Sequence, residues 1–411
     1  IKQTAYRIVV ASSKENLKQG IYDLWDSGKQ LSEESDLIPY QGKTLPSAQD
    51  CYWKVQTWDQ DGKPTAWSKP SYWGMGLMNE DEWQAQWIAP LLGGPGAPLL
   101  RKHFDSKGQI KQAKVFVCGL GYFELYVNGE RIGDDYLVPN MTDYTKRFDL
   151  EKGPIAISGN MSRHRVMYLA YDITKQIQEG RNALGVILGN GFYDAVNLNI
   201  PCSKFGDECL RLQLQLTYAD GTTQTVISDN TWETKPSAIT LNGVHAGEIY
   251  NANLETPLWA TTEDNSQGWQ RVKCIEGPTG MMTAHTAPTD KIVETLKPIS
   301  LHQREDGAWV VDFGKEISGW LHLHDLKGEK GDTVKVDYIS ESVQGNMRYV
   351  MNGSGSEEYA PRFTWFAFSK AVISGVKELS MKNLTADVVN THVEKTADFH
   401  TTDTLFNRIN E

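Results

Sequence analysis

Residues 115–132 read VFVCGLGYFELYVNGERI and contain the clearest antiparallel pattern of the chain. The short apolar run 115–118 predicts a buried strand, and in 122–127 apolar side chains alternate onto one face of a second strand. The dipeptide Asn128-Gly129 that follows tolerates the two positive φ angles of a type I′ turn. Residues 131–133 are therefore predicted to return as the other half of a β-hairpin.

The sequence up to residue 193 extends this pattern. Asp172 is placed to cap a short helix over 173–179, which Gly180 would end. Residues 183–188 are apolar and predict another buried strand, which runs into the glycine-aromatic segment GNGFY at 189–193. A sheet with a hairpin, one short helix and such a loop at its rim indicates a β-sandwich suited to hold a sugar.

Length and composition limit the possible functions. A chain of 411 residues predicts about three domains at roughly 150 residues each. The net charge of −11 argues against nucleic acid as a partner, because phosphate binding needs clustered Lys and Arg. No apolar run approaches the roughly 18 residues of a membrane span. The many Trp and Tyr residues fit both β-sandwich cores and platforms for sugar rings.

The five cysteines form neither a CxxC pair nor a zinc-binding spacing. Cys51 and Cys118 lie in strand-like apolar surroundings, which favours buried thiols. Cys202 and Cys209 bracket a short loop, and their spacing leaves open both a disulfide and two free thiols. The cysteines therefore do not decide the cellular compartment.

Strand patterns and their interruptions divide the chain into consecutive β-sandwich domains. The strongest alternation, at 210–218, has one apolar and one polar face, which is typical of an antiparallel sheet. Helix is accordingly predicted for less than about 12% of residues, against roughly 30–35% in globular proteins generally. The predicted parts are a first sandwich at 1–78, a linker at 79–97, a central sandwich at 98–283, a third β-domain at 284–398, and the start of a helical domain at 399–411.

Several quoted runs resemble one enzyme family. GLGYFELYVNGERIGDDYLVPNMTDYTKR (119–147) and YLAYDITKQIQEGRNALGVILGNGFYD (168–194) are similar to the amino-terminal jelly-roll module of bacterial α-L-rhamnosidases, glycoside hydrolase family 78. VVDFGKEISGWLHLHDLKGEKGDTVKVDYISES (310–342) and EEYAPRFTWFAF (357–368) resemble the concanavalin-like domain of the same family. YWKVQTWDQDGKPTAWS (52–68) is similar to a fibronectin type III module. One departure is the run WFAFS at 365–369, where the family usually has a His-Gly-Phe-Arg-Tyr-like run.

The resemblance implies an inverting enzyme that removes terminal α-L-rhamnosyl residues from plant glycosides or polysaccharides. In such an enzyme two carboxyl groups stand roughly 6.5–9.5 Å apart. The resemblance places that Glu pair in an (α/α)6 barrel that would begin near Phe399 and continue beyond Glu411. No catalytic residue is therefore assigned within this chain, which is expected to brace the barrel and to be inactive by itself. The implied setting is the periplasm or the exterior of a bacterium.

Sugar binding is the activity that these β-domains could carry themselves. Related sandwich modules bind L-rhamnose with help from calcium, and calcium prefers six to eight oxygen ligands. The candidate sugar-binding residues are Asn190, Tyr193, Asp194 and Asn197 in the loop after the strand 183–188. The candidate metal ligands are Asp143 and Asp194. The alternative is that these side chains only shape their turns and that the sandwich supports the catalytic barrel without binding sugar. In either case no cofactor is required, and calcium is a possible one.

Two further groups are weaker candidates. His322 and His324 share one face of a strand and could ligate a metal, but no third ligand is evident nearby in the sequence. The acidic clusters at 80–82 and 134–135 are predicted to be solvated charges of a linker and a turn. A rival function for the whole chain is a stand-alone carbohydrate-binding or adhesive surface protein. The predicted helix that begins near Asp403 argues for the enzyme, because an adhesin has no need of it.

Overall fold

The computed structural model describes residues 2–91, 93–145, 164–195, 204–244, 246–263, 267–339 and 345–410. Within these residues strand accounts for 48% and helix for 6%, which confirms the predicted all-β class. The chain divides into two compact units, Ile1–Gln84 and Ala85–Glu411. None of the described helices has the length and apolar character needed to cross a bilayer.

The first unit is a five-stranded antiparallel sheet with one short helix. Its elements are β1 (Ala5–Ala11), α1 (Lys14–Gln19), β2 (Trp25–Asp26), β3 (Gln30–Leu31), β4 (Asp50–Trp58) and β5 (Ser71–Gly74). The order is β2-β1-β4-β5, with β3 also paired to β1. Helix α1 was not predicted, because six residues are too few to show a helical period. Its ends are nevertheless typical: the Ser13 side chain accepts from the Asn16 amide, and Gly20 takes the left-handed conformation.

The second unit begins with two sheets that face each other. Their strands, with two more that join a later sheet, are β6 (Trp87–Ala89), β7 (Pro98–Ser106), β8 (Ile110–Leu120), β9 (Tyr122–Val127), β10 (Glu130–Ile132), β11 (Arg165–Asp172), β12 (Gly180–Gly189), β13 (Cys209–Tyr218), β14 (Thr223–Ile227), β15 (Glu233–Pro236), β16 (Ile239–Gly243), β17 (Gly247–Asn251), β18 (Gln270–Arg271), β19 (Lys273–Ile275) and β20 (Met281–Ala284). One sheet has the order β10-β9-β12-β7-β15-β18. The other has the order β19-β6-β13-β8-β11-β20, with β14 paired to β13.

Alternation of side chains builds the core between these two sheets. The apolar residues of β13 interleave with those of β8, β9 and β12, and Trp232 is fully buried among them. The predicted hairpin is confirmed: β9 pairs with β10, and Asn128 and Gly129 have φ angles of 50° and 88°. Strands β9 and β12 also pair directly, so the hairpin and the segment 183–188 belong to one sheet.

The predicted helix over 173–179 is wrong. The segment contains turns but no helix, although Gly180 has the predicted positive φ of 82°. Asp172 accepts from the amide and hydroxyl of Thr174 instead of capping a helix, and the Asn182 amide side chain binds the backbone of Gln178 and Gly180. These side chains satisfy the backbone groups that a helix would otherwise have bonded internally.

A ten-stranded sheet completes the second unit. Its further strands are β21 (Asp290–Leu296), β22 (Ser300–Gln303), β23 (Trp309–Leu326), β24 (Thr333–Ile339), β25 (Asn346–Val350), β26 (Glu357–Tyr359), β27 (Phe366–Ser374) and β28 (Leu384–Thr391). The order is β16-β17-β25-β24-β27-β23-β28-β21, and β22 and β26 pair with β23. Strands β16 and β17, which fall inside the predicted central domain, therefore extend the sheet of the third domain through the parallel pair β17–β25.

Strand β6 and helix α2 lie at two of the predicted domain boundaries. The predicted linker 79–97 contains β6, whose three residues are buried and pair with β13 and β19. Helix α2 (Thr404–Asn410) forms as predicted near Asp403, which accepts from the amide of Leu405. Its apolar residues Leu405, Phe406 and Ile409 are all more than half exposed.

Candidate functional site

The loop after β12 holds three of the predicted sugar ligands in the protein interior. Asn190, Tyr193 and Asp194 are exposed by 0%, 6% and 6%. The Asn190 backbone amide donates to Oδ1 of Asn242 at 2.8 Å, and the Asp194 amide donates to the Asn190 carbonyl at 3.0 Å. The Asn190 side-chain amide reaches Oδ2 of Asp194 at 3.4 Å, while its own Oδ1 has no hydrogen-bond partner.

The Asp194 carboxylate has a cationic partner. Nζ of Lys204 lies 2.7 Å from Oδ1 of Asp194, and the two residues also form a backbone bridge. The hydrogen bond to Asp194 raises the pKa of the Lys204 ammonium. A calcium ion at Asp194 would therefore have to compete with the charge of Lys204.

Tyr193 packs inside an aromatic cluster. Its ring meets that of Tyr144 edge-on at 5.1 Å and stacks on Phe205 at 6.1 Å. Burial raises the pKa of the Tyr193 phenol. A sugar-stacking platform needs an exposed ring face, which Tyr193 does not offer in this conformation.

The predicted metal ligand Asp143 is engaged elsewhere. One of its oxygens lies 2.8 Å from Nδ1 of His164, and the other accepts from the Arg165 amide at 3.1 Å. The structure thus gives Asp143 and Asp194 separate partners, although their neighbours Tyr144 and Tyr193 are in contact. The fourth predicted sugar ligand, Asn197, lies outside the described residues.

Sequence reasoning missed Glu208, a buried carboxyl group close to this loop. It is 1% exposed, and neither of its oxygens has a hydrogen-bond partner. Burial, reinforced by the charges of Asp194 and Asp207, raises its pKa to about 8. Glu208 lines a cavity of about 470 Å³ together with Gly94, Lys235 and other residues. The available signal was an acidic residue directly before the apolar strand 209–218.

A second cavity has the lining expected of a small polar ligand site. It measures about 330 Å³, and its wall includes Trp259, Tyr250, Glu255 and Arg362. Aromatic faces beside convergent charged groups are typical of ligand pockets. Tyr250, Glu255 and Trp259 come from one segment, whereas Arg362 lies about a hundred residues further on, so no local pattern could have predicted that they share a cavity.

A buried polar network surrounds Arg362. Its guanidinium donates to the Glu124 carboxylate and to the Tyr126 hydroxyl, both at 2.7 Å. Its backbone amide and that of Phe363 donate to Glu248, which is fully buried. Burial alone would raise the pKa of Glu124, but the charges of Arg362 and Arg131 outweigh it, so the pKa of Glu124 lies below its ordinary value.

The histidine pair on β23 acquires the third partner that the sequence did not reveal. Oε1 of Glu358, on the neighbouring strand β26, lies 2.7 Å from Nε2 of His322 and 3.4 Å from Nδ1 of His324. Burial lowers the pKa of His322, but Asp387 and Glu358 outweigh that effect, so its pKa is raised. The three residues form the one group of potential metal ligands found among the described His, Cys, Asp and Glu residues.

The acidic clusters at 80–82 and 134–135 contain carboxylates that form hydrogen bonds and ion pairs within the fold. Glu82 accepts from the Ser47 hydroxyl and from the amides of Met78 and Asn79. Asp134 lies 2.6 Å from Nζ of Lys291. Asp135 accepts from the hydroxyls of Tyr171 and Thr289. None of these carboxylates is paired with another across an open cleft in the described structure.

Cys118 and Cys209 are buried thiols that form no disulfide. Burial raises the pKa of both. Cys202, the suggested partner of Cys209 in a disulfide, lies outside the described residues.

Three family models match most of the chain. The model described as the α-L-rhamnosidase N-terminal domain matches residues 108–155 and 160–294. A Rha78A-like N-terminal immunoglobulin domain matches 1–79, and the bacterial α-L-rhamnosidase concanavalin-like domain matches 302–390. The immunoglobulin match covers the segment predicted to be fibronectin type III-like, and both labels describe β-sandwiches of the same architecture.

Similar proteins carry the same description. An α-L-rhamnosidase of Formosa agariphila is 31% identical over 99% of this chain and 46% of its own length. One from Alteromonas sp. is 27% identical over 100% of the chain and 46% of its length. The solved α-L-rhamnosidase of Dictyoglumus thermophilum superposes with a TM-score of 0.87 at 33% identity, covering 99% of this chain and 47% of that one.

The solved α-L-rhamnosidase of Aspergillus terreus superposes with a TM-score of 0.84 at 25% identity, covering 99% of this chain and 47% of that one. The chain thus spans about half the length of the relatives it matches. Its three matched segments are described as amino-terminal or concanavalin-like parts of one enzyme type. The chain therefore belongs to the α-L-rhamnosidase family, glycoside hydrolase family 78, and corresponds to its β-rich amino-terminal portion.

Proposed function

We propose that this chain is the supporting part of an enzyme that hydrolyses terminal α-L-rhamnosyl residues of plant glycosides or polysaccharides. The observation that carries the proposal is the similarity to α-L-rhamnosidases along 99% of this chain and only 46% of the relative. In this proposal the two catalytic Glu residues belong to a separate helical barrel. The β-domains hold that barrel and require no cofactor to do so.

Three of the described carboxylates support a bracing role. Glycoside hydrolysis needs an acid and a base facing each other across the sugar. In the described structure Glu124 is bound by Arg362, Asp194 by Lys204, and Asp134 by Lys291. Because their charges are already compensated, these groups are suited to fixing the fold rather than to moving protons.

A hydrolysis assay tests the absence of catalysis. The purified 411-residue chain should release no p-nitrophenol from p-nitrophenyl α-L-rhamnoside above the buffer background. The control is a full-length α-L-rhamnosidase assayed at the same molar concentration. Release that grows in proportion to the amount of chain, and that persists through purification, would overturn the proposal.

We further propose weak, calcium-assisted binding of L-rhamnose at the loop that contains Asn190, Tyr193, Asp194 and Asn197. The buried Oδ1 of Asn190, which has no partner, supports a role for this loop beyond turn geometry. Asp143 and Asp194 are the proposed calcium ligands. A monosaccharide offers little apolar area, so the expected dissociation constants run from about 1 mM to tens of μM.

Calorimetry tests this second proposal. L-rhamnose should give heat at millimolar concentrations with calcium present, and the heat should disappear with EGTA and in Asp194→Ala. Asp207→Ala, a change at an exposed carboxylate nearby, should leave binding intact. Circular dichroism of each variant separates lost binding from lost folding. If the folded wild type gives no heat, only the bracing role remains.

We also propose that the enzyme acts in the periplasm or outside the cell. Rhamnose-containing polysaccharides are too large to cross a membrane unaided, which supports hydrolysis outside the cytoplasm. Antibody detection in cell fractions tests this, and a signal confined to the cytoplasmic fraction would contradict it.

The rival function, an adhesive protein without an enzyme, gains no support from relatives that are themselves described as α-L-rhamnosidases.

A further inference from the structure

His322, His324 and Glu358 converge on the polar face of the ten-stranded sheet. Leu321 and Leu323 of β23 point into the core, so the alternate residues His322 and His324 point away from it. Strand β26 pairs with β23 on one side, and its middle residue Glu358 shares the face of the histidines. The two imidazole rings lie 4.1 Å apart between centroids.

The strand on the other side of β23 holds both imidazoles in orientation. From β28, Oδ2 of Asp387 lies 3.2 Å from Nδ1 of His322, and Oγ1 of Thr385 lies 2.8 Å from Nε2 of His324. Asp387 is itself buried and accepts from the Thr295 hydroxyl at 2.9 Å. With these ring nitrogens engaged, Nε2 of His322 and Nδ1 of His324 are the nitrogens that face Glu358.

This is the arrangement that metal-binding histidines use. A carboxylate or other oxygen on the far ring nitrogen fixes the tautomer and leaves a lone pair on the nitrogen that faces the metal. We propose that His322 Nε2, His324 Nδ1 and the Glu358 carboxylate bind one divalent transition-metal ion of the zinc type. Two imidazoles and one carboxylate, with a fourth position for water, suit zinc. Calcium prefers six to eight oxygen ligands, so it does not fit this set.

The spacing requires only a small adjustment. The three ligand atoms lie within 4.8 Å of one another. Bonds of about 2.0–2.2 Å in tetrahedral geometry bring ligand atoms to roughly 3.3–3.5 Å from each other. Glu358 is the ligand that can adapt, because its side chain is 64% exposed. The bound ion would link β26 to β23 and so fix the edge of the sheet.

Metal titration tests the site directly in the 411-residue chain after treatment with EDTA. The background should carry Cys274→Ser, because the exposed Cys274 thiol is a competing zinc ligand. Calorimetry with zinc chloride should show one saturable site, and a millimolar excess of calcium chloride should leave the zinc affinity unchanged, because calcium does not suit this set of ligands. Cobalt(II) in place of zinc should give visible absorption bands without the near-ultraviolet charge-transfer band of a thiolate ligand.

Variants decide between a metal site and a plain ion pair. Glu358→Gln and His322→Ala should each weaken zinc binding at least tenfold, and Asp387→Asn should weaken it 10- to 100-fold by releasing the His322 ring. His302→Ala, at an exposed histidine of β22, is the matched control and should bind like the parent. Melting in EDTA checks that each variant folds. Absence of a saturable site, or equal binding by Glu358→Gln, His322→Ala and the control, would show that the three residues form an ion pair only.

Discussion

Burial sets the chemistry of Glu208. Removing a carboxylate from water without a hydrogen-bond partner disfavours its charged form, which is the reason for a pKa of about 8. The groups that face it are Asp194 and Asp207, which raise the pKa further, and Lys204, which opposes them. The folded protein therefore keeps a proton on Glu208 under conditions where the unfolded chain has lost it.

This proton makes stability depend on pH. Below about pH 4 the carboxyl group is protonated in both states, so it adds no pH dependence. Between about pH 4.5 and 8 the folded state binds more protons than the unfolded state, so the free energy of unfolding falls as pH rises. A pKa of about 8 against 4.5 corresponds to roughly 4 kcal/mol over that window.

Glu208→Gln should remove this dependence. The variant should match the wild type at pH 5 and exceed its free energy of unfolding by a few kcal/mol at pH 8, as measured by urea denaturation. Glu378→Gln, at an exposed carboxylate of the same unit, is the control and should follow the wild-type curve. Parallel curves for Glu208→Gln and the wild type would show that Glu208 is ionised in the folded protein.

Strand β12 shows how one small residue shapes an element. Gly185 lies in its middle, and a Cβ atom there would come within 2.5–3.0 Å of the side chains of Ala260 and Trp259. Glycine inside a strand often marks such a close approach. Trp259 in turn forms part of the wall of the 330 Å³ cavity, so the glycine allows the wall to close over the sheet.

Gly185→Ala should therefore overpack the sheet. We expect a loss of about 1–3 kcal/mol in the free energy of unfolding, measured by urea denaturation, because Trp259 and Ala260 must shift. Gly108→Ala is the matched control, since a Cβ atom there meets nothing within 4 Å. If both changes have equal effects, the packing of Trp259 against β12 is looser than the structure shows.

In the second unit, the ion pair between Glu124 and Arg362 connects two sheets. Glu124 belongs to β9 of the central sandwich, and Arg362 lies between β26 and β27 of the ten-stranded sheet. Glu248, on β17, accepts from the backbone amide of Arg362 and from the Tyr359 hydroxyl. Without Arg362 the buried Glu124 would keep only Arg131, whose Nε lies 3.3 Å from its carboxylate, so its charge would be only partly compensated.

Breaking this pair should destabilise the unit as a whole. Arg362→Met should lower the free energy of unfolding by roughly 2–4 kcal/mol, less than for a fully buried pair because Arg362 is 37% exposed. Adding Glu124→Gln should cost less than the sum of the single changes, since the two residues interact. The control is Lys315→Met, which breaks an exposed pair with Glu294 and should change stability by less than about 1 kcal/mol. Strictly additive effects would contradict the coupling.

Local patterns were sufficient for the class of fold and for many elements. Alternation at 210–218 and the Asn128-Gly129 turn depend on neighbouring residues, so they predicted β13 and the hairpin directly. The same periodicity placed His322 and His324 on one face of β23. Cap residues near Asp403 predicted α2 in the same way.

Tertiary structure alone decided which strands meet. Asp172 has the residue type of a helix cap, but its carboxylate accepts from the amide and hydroxyl of Thr174, and the Asn182 side chain donates to the Gln178 carbonyl, so no helix forms. Glu358 joins His322 and His324 only because β26 pairs with β23. The Glu208 carboxyl group lacks hydrogen-bond partners because the folded chain buries it away from water. Periodicity tells which face of a strand a residue occupies, whereas contacts between distant strands depend on the packing of the whole chain. The sequence by itself therefore determined the elements and their faces, and the packed sheets decided the partners, the burial and the charges of the site residues.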